Sequence, residues 1–251
     1  MGLQTVDRAV AVLHLLSASG TGGLRLVDVQ GKLRLSKPTA HRLLMSLVSH
    51  GFVDQDETTR RYRLGARLAV LAWSVPRQRP DFGRLASPAA QRLAQRSGDT
   101  VFVMACDGLE SVCVGRETGS FPIKALTLEV GTRRPLGVGA GGLAVLGAMP
   151  PDEARRAIDT IAHKLKDYPL TSPDVIRRGA DQARRLGHSV SDGQVATGVR
   201  AVAVAVRDAH GVPVGSIGIA AIRSRMMPER IRELVPWMLE ERAEVERQLA
   251  A

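Results

Sequence analysis

Between positions 36 and 42 the chain reads Ser-Lys-Pro-Thr-Ala-His-Arg. A serine followed closely by proline is a helix start. The serine oxygen accepts a backbone N–H, and a proline in the first turn gives up no helical hydrogen bond. On the helix that follows, Ala40, Leu43, Leu44, Leu47 and Val48 share one face, and Lys37, Thr39, His41, Arg42, Met45 and Ser46 share the other. That second face carries the donors that read nucleic acid. Thr39 and His41 suit base edges, and Arg42 suits a guanine or a phosphate. Ser36 and Lys37 suit phosphate, beside the free N–H groups of the helix start. Arg60 and Arg61, at the end of a short polar segment, suit the DNA backbone or the minor groove. Spacing alone does not sort base contacts from phosphate contacts.

A second constellation lies at Gly137, Gly139 and Gly142, which spell Gly-x-Gly-x-x-Gly ahead of an apolar run. A dinucleotide site requires the helix after such glycines to return to a parallel strand, with an acidic residue about 20 positions on. Here Pro150-Pro151-Asp152-Glu153 begins another helix, so no cofactor is expected. The same glycines leave backbone N–H groups open to an anion. Gly137, Val138, Gly139 and Ala140 are therefore candidates to hold the carboxylate of an organic or aromatic acid; a tight turn made only for packing is the alternative. Asp192 and Gln194 are candidate polar contacts to the same ligand. Cys106 and Cys113 read as small buried hydrophobes rather than nucleophiles. The six histidines are dispersed without ligand spacing, so no metal is expected. No nucleophile elbow or phosphate-binding loop is present, and catalysis has no visible machinery.

The elements that must position these residues follow from periodicity. Residues 6–16 place Val6, Val10, Leu13 and Leu16 at helical spacing, and residues 24–33 form a second apolar stripe. A small-residue loop, 17–23, separates them. After Gly51 the alternating runs 52–55 and 61–64 flank a polar tip, the signature of a β-hairpin. Three short helices and a hairpin in about 65 residues make a winged helix-turn-helix. Residues 65–75 read as a helix leading into a linker with Pro76, Arg77, Arg79 and Pro80, and its Leu68, Val70, Leu71 and Trp73 invite cover by a partner subunit. Ser87-Pro88 reads as the opening of the next helix. Strands are expected at 101–105, 111–116, 123–130, 200–207 and 213–221, and helices at 142–148, 151–163, 172–187 and 228–250. That order predicts an α+β fold with one mostly antiparallel sheet flanked by helices. The expected domains are 1–65 for DNA, 66–80 for a linker helix, and 81–251 for effector binding and oligomerisation.

Net charge is +10 in 251 residues, which favours a polyanionic partner. Aromatic residues make up only 3%, too few for a stacking platform that holds single strands. Two isolated cysteines suit a reducing cytoplasm, and no apolar run approaches membrane-spanning length.

The runs 6–16, 25–35, 36–44 and 61–65 resemble the head of IclR-family regulators. The likeness continues through Arg134-Pro135-Leu136-Gly137-Val138-Gly139-Ala140-Gly141-Gly142 and Thr197-Gly198-Val199-Arg200-Ala201-Val202-Ala203. The resemblance implies a winged helix-turn-helix on a GAF-like effector domain. It also implies homodimers or tetramers built as dimers of dimers, and repression or activation of a double-stranded DNA operator under a small metabolite. It adds Ala201, Gly218 and Ala220 to the effector pocket. The chain departs from the family pattern there: Gly137 stands where His is common, Gly139 where Thr is, Leu143 where Lys is, and Ala201 where Cys is. Gly218 and Ala220 fall where small serines are usual. Several side-chain donors are thus missing, which leaves the effector open. The alternative function is a ligand-transforming enzyme with an attached nucleic-acid module.

Overall fold

The structure, a computed structural model, describes residues 4–19, 22–74 and 81–251, with no side chains for residues 18 and 72–74. It divides into two compact units, one within residues 1–78 and one within 79–251. Pro76, Arg77, Arg79 and Pro80 of the expected linker lie outside the described residues, as do two residues of the 17–23 loop and the Trp73 side chain.

The first unit orders as α1 (Gln4–Ala18), α2 (Leu26–Leu33), α3 (Lys37–Ser49), β1 (Val53–Gln55), β2 (Tyr62–Leu64) and α4 (Arg67–Ser74). Its core joins Val12 and Leu16 of α1 to Val29, Leu44, Leu47, Val53 and Tyr62. The helix expected from the spacing of Val6, Val10, Leu13 and Leu16 is present, with Val6 and Val10 exposed and Val12 and Leu16 buried. Residues 9, 12, 13 and 16 form an equally good 3.6-period row, and α2 and α3 meet that row. β1 and β2 pair antiparallel. Leu24 adds a bridge to Tyr62, with N–H to O distances of 3.0 and 2.7 Å. The wing is thereby tied to the chain just ahead of α2. Gly23 sits at φ +60°, where a Cβ would stand 2.7 Å from the Tyr62 carbonyl, so only glycine fits this approach. In α4, Val70 and Leu71 are exposed.

The second unit comprises α5 (Phe82–Ser97), β3 (Thr100–Asp107), β4 (Glu110–Thr118), β5 (Arg133–Pro135), α6 (Gly139–Ala148), α7 (Pro151–Ile161), α8 (Pro173–Leu186), β6 (Ser189–Asp192), β7 (Val199–Arg207), β8 (Pro213–Ile222) and α9 (Pro228–Ala250). The strands form one antiparallel sheet in the order β5-β4-β3-β8-β7-β6. Strand alternation sorts side chains by size between its faces. Val101, Val103, Val202, Val204, Ile217 and Ile219 pack under α5 and α9. The opposite face carries Ala201, Ala203, Ala205, Ser216, Gly218 and Ala220, and α6 lies on this shallow surface. Gly141 permits the approach, since a Cβ there would stand 2.7 Å from Ser216 Oγ. α7 and α8 cover the outer side of α6 through Leu143, Leu146, Ile158, Ile161 and Ile176.

Three sequence expectations are corrected here. Residues 123–130 form no strand; the edge strand is β5. Ala125 and Leu128 are buried while Ile123, Leu126 and Val130 are exposed, a three-residue spacing incompatible with a two-residue pleat. Arg116 and Arg134 strap this segment down by donating to the carbonyls of Leu128 and Thr127 at 3.0 and 2.8 Å. Helix α5 begins at Phe82, capped by Asp81, whose Oδ1 accepts the Arg84 N–H at 3.2 Å, and Pro88 lies inside it. A proline there loses a helical bond, and burial of Ala86, Ala89, Ala90 and Leu93 offsets it. Finally, β6 has no counterpart in the expected strands. Its Ser-Val-Ser-Asp sequence hides two buried serines, of which Ser189 donates to the Ala140 carbonyl at 2.6 Å.

Candidate nucleic-acid face and ligand cavity

The start of α3 is organised by its own hydroxyls. Ser36 Oγ accepts the Thr39 N–H at 3.4 Å and shares a 2.8 Å hydrogen bond with Thr39 Oγ1. Beyond this pair Lys37, His41 and Arg42 are exposed, and their side chains make no hydrogen bond or ion pair among the described residues. Ala40, Leu43, Leu44 and Leu47 lie buried on the reverse side. The wing turns on Asp56. Its Oδ1 accepts the N–H groups of Thr58 and Thr59 at 3.1 and 2.7 Å, which hold the carboxyl below its ordinary pKa, with Arg63 adding to the effect. Arg60 takes the left-handed conformation at φ +56° and is exposed at the tip. Beside it Arg61 is half-buried, and its Nη1 donates to the Gly23 carbonyl at 2.9 Å, so it braces the loop ahead of α2. One cation escaped the sequence reading. Arg34, at φ +51° in the turn between α2 and α3, is exposed two residues before the Ser36 cap. Its place in the turn of a helix-turn-helix was the available signal.

In the second unit a cavity opens between α6, the small-residue face of the sheet and the strapped segment. It holds about 610 Å³ of atom-free space, including open solvent at its mouth. Val138, Gly139, Ala140, Ala201, Gly218 and Ala220 line it, as do Phe102, Met104, Leu128, Ser191 and Arg134. The cap residue Val138 offers no side-chain acceptor, and the first turn of α6 borders the cavity, so the helix presents N–H groups there. Gly139 sits at φ +83°, which turns the chain into the helix. Gly137, Asp192 and Gln194 are not in the lining. Gly137, at φ +98°, packs under Ile176 and Leu146, where a Cβ would stand 2.6 Å from Ile176 Cγ2; a larger residue has no room. Asp192 pairs with Arg200 at 2.7 Å and Arg223 at 2.9 Å, and these partners hold its carboxyl below the usual range. Gln194 Oε1 accepts the Ser191 hydroxyl at 3.0 Å and thereby orients a residue that does line the cavity.

Arg134 is the charged group of this lining. Burial pushes its guanidinium down from the ordinary arginine range, and no carboxylate among the described residues pairs with it. Among the described residues its guanidinium donates one hydrogen bond, to the Thr127 carbonyl. Its burial, which gives it this significance, has no signal in sequence. Among the described residues no group of acidic, histidine and cysteine side chains is disposed to hold a metal ion. No helix of these residues is long and apolar enough to cross a membrane.

Residues 78–246 match the family model of the bacterial transcriptional regulator IclR C-terminal domain, and residues 5–57 match the IclR helix-turn-helix domain. The chain belongs to the IclR family of transcriptional regulators. It is 30% identical over 230 residues to the transcriptional repressor AllR of Klebsiella pneumoniae, covering 91% of this chain and 84% of that protein. It is equally similar to the glycerol operon regulatory protein of Streptomyces coelicolor, at 30% identity with 90% and 88% covered. Among solved structures, the Thermotoga maritima IclR matches with a TM-score of 0.73 at 23% identity over 100% of both chains. An IclR homologue from Microbacterium hydrocarbonoxydans, complexed with 4-hydroxybenzoate, matches with a TM-score of 0.70 at 22% identity over 98% of both. These likenesses carry the fold: a helix-turn-helix domain and a C-terminal domain of antiparallel sheet and helices. The IclR-type chain is thus a DNA-binding transcription regulator with an effector domain.

Proposed function

We propose that this IclR-family regulator binds its operator through α3 and the wing and is controlled by a small organic or aromatic acid held in the cavity of the second unit. Lys37, Thr39, His41 and Arg42 contact DNA from α3, Ser36 sets the helix start, and Arg60 reaches the backbone from the wing tip. Arg61 acts there by bracing the wing. Two copies reading paired half-sites, as a homodimer or a dimer of dimers, fit the symmetry of such operators. Repression, as in the relatives named AllR, is the expected sign of control.

The observation that carries the acid is Arg134. A partly buried guanidinium that pairs with no carboxylate among the described residues, in a largely apolar cavity, favours an anionic ligand that pairs with it. The first turn of α6 adds oriented N–H groups to the same space. The aromatic acid bound by the Microbacterium homologue supports the same chemical class. Thermal melting of the full chain with benzoate and 4-hydroxybenzoate, set against their uncharged amides, tests the proposal. The acids should stabilise the protein, the amides should not, and Arg134→Gln should lose the acid effect. Equal shifts from acids and amides would refute it.

A further inference from the structure

A second cleft lies where the C-terminal half of α6 meets the end of α8, the end of β7 and the middle of α9. It holds about 410 Å³ of atom-free space and is bordered by Arg184, His188, Arg207 and Arg242, with no acidic residue in its lining. Its floor is built from small residues: a Cβ on Gly147 would stand 2.7 Å from Ala183 Cβ and 3.0 Å from the Ala180 carbonyl. α6 and α8 therefore meet closely, and no bulky side chain fills the space above.

The arginines around this cleft are engaged by the protein to different degrees. Arg184 is the most engaged: Nη1 pairs with Asp181 at 2.7 Å, and Nη2 donates to the carbonyls of Leu146 and Met149, capping the end of α6. Its Nε is nevertheless buried without a partner. Arg242 Nε is likewise buried without a hydrogen bond, 3.7 Å from Glu246 Oε2. The other oxygen of Glu246 accepts the backbone N–H of Arg207 at 2.9 Å. The Arg207 guanidinium itself has no hydrogen bond or ion pair among the described residues. His188 Nδ1 lies 3.2 Å from the Leu186 carbonyl; donating to it leaves Nε2 without a partner among the described residues.

We propose that this cleft is a second anion site, separate from the effector cavity, and that it takes a phosphate group. Arg184, Arg207 and Arg242 line the cleft from three elements, α8, β7 and α9. A phosphate offers three or four strong acceptor oxygens and a second negative charge, which matches that arrangement. The C-terminal dipole of α6 would oppose an anion. Arg184 offsets it by donating to the last carbonyls of that helix. The effector cavity borders the first turn of α6 and this cleft borders its last two turns, so one helix touches both ligands.

The test is a titration of the full chain with inorganic phosphate against sodium chloride of equal ionic strength, followed by isothermal calorimetry. Arg207→Gln removes a guanidinium that makes no hydrogen bond or ion pair among the described residues, so the fold is preserved. It should weaken phosphate binding about tenfold, as expected for one charge-assisted hydrogen bond. The double variant Arg207→Gln/Arg242→Gln should abolish binding, whereas Arg134→Gln should leave it unchanged. That contrast separates this site from the proposed acid site. A small phosphate monoester in a parallel titration assigns the source: tighter binding than phosphate points to a phosphorylated metabolite, weaker binding to the free ion. Phosphate that acts no differently from chloride, or that binds equally to the double variant, overturns the site.

Discussion

Arg42 and Arg134 are both arginines that no carboxylate among the described residues takes up, and their surroundings give them opposite work. Arg42 stands exposed on α3, where a guanidinium can meet a base edge or a phosphate. Arg134 borders a largely apolar cavity. Arg42→Ala should lower operator affinity about 10–100-fold, from the 1–3 kcal/mol of a base contact. The thermal shift produced by acids should be unchanged. Gel-shift titration and melting of the same variant check both halves, and loss of both responses would break the assignment to separate units. Cys113 gives a second expectation. Burial pushes its thiol up to about 11, so at pH 8 only on the order of one part in a thousand is thiolate. Iodoacetamide should spare Cys113 in the native protein and modify it in urea, as read by peptide mass spectrometry; equal rates would contradict its burial. Residue chemistry on the outside of α3 was legible in the sequence because one helical period separates Lys37, His41 and Arg42 from the leucines. The roles of Arg134 and Asp192 were not. One is set by burial, the other by Arg200 and Arg223, of which Arg223 comes from beyond the end of β8.

At the scale of elements, the legible parts were those where one period dominated. β7 alternates alanine and valine from Ala201 to Val206, β8 keeps that alternation from Ser216 to Ala220, and α8 and α9 open on clear caps or prolines. Ambiguity arose where two rows competed, as on α1, or where polar residues were buried, as in β6. The segment 123–130 misled because β-branched and aliphatic residues suggested a ladder, while its actual restraint comes from two arginines on β4 and β5. The glycines ahead of α6 were legible as a turn and opaque as to purpose; the structure divides them by what surrounds each. Gly137→Ala places a Cβ at φ +98° against Ile176 and Leu146, combining backbone strain with overpacking. It should destabilise the second unit by about 2–4 kcal/mol. Gly108→Ala, at φ +59° with no atom within 4 Å of the new Cβ, should cost about 1 kcal/mol from conformation alone. Urea unfolding of the two variants, followed by circular dichroism, checks the ordering. Equal costs would mean that packing at Gly137 is looser than its distances imply.

For the whole molecule, the α+β class and the helix-turn-helix could be read from element order, and the net charge of +10 acquired a location. Residues 1–78 carry eleven Lys and Arg against five Asp and Glu, so more than half the excess lies in less than a third of the chain. Concentrated charge of this kind acts on DNA by releasing counterions from phosphates. The logarithm of affinity then falls with the logarithm of salt at about 0.9 per phosphate neutralised. Lys37, Arg60 and Arg34 are exposed cations disposed around α3 and the wing, and Arg42 is a fourth if it meets phosphate. One head should therefore neutralise about three or four phosphates, and the proposed dimer on two half-sites about six to eight. The expected salt slope is on the order of −5 to −7 for a full operator and about half that for an isolated half-site. Binding isotherms from 50 to 300 mM potassium chloride measure it. A full-operator slope no steeper than that of the half-site would mean that one head binds at a time, against the paired arrangement. An acid acting through the cavity touches none of these phosphates. It should displace the whole line by a coupling of about 1–3 kcal/mol while leaving the slope unchanged. If the acid altered the slope instead, it would be competing with DNA for the basic face of the first unit, and Arg134 would not be its receptor.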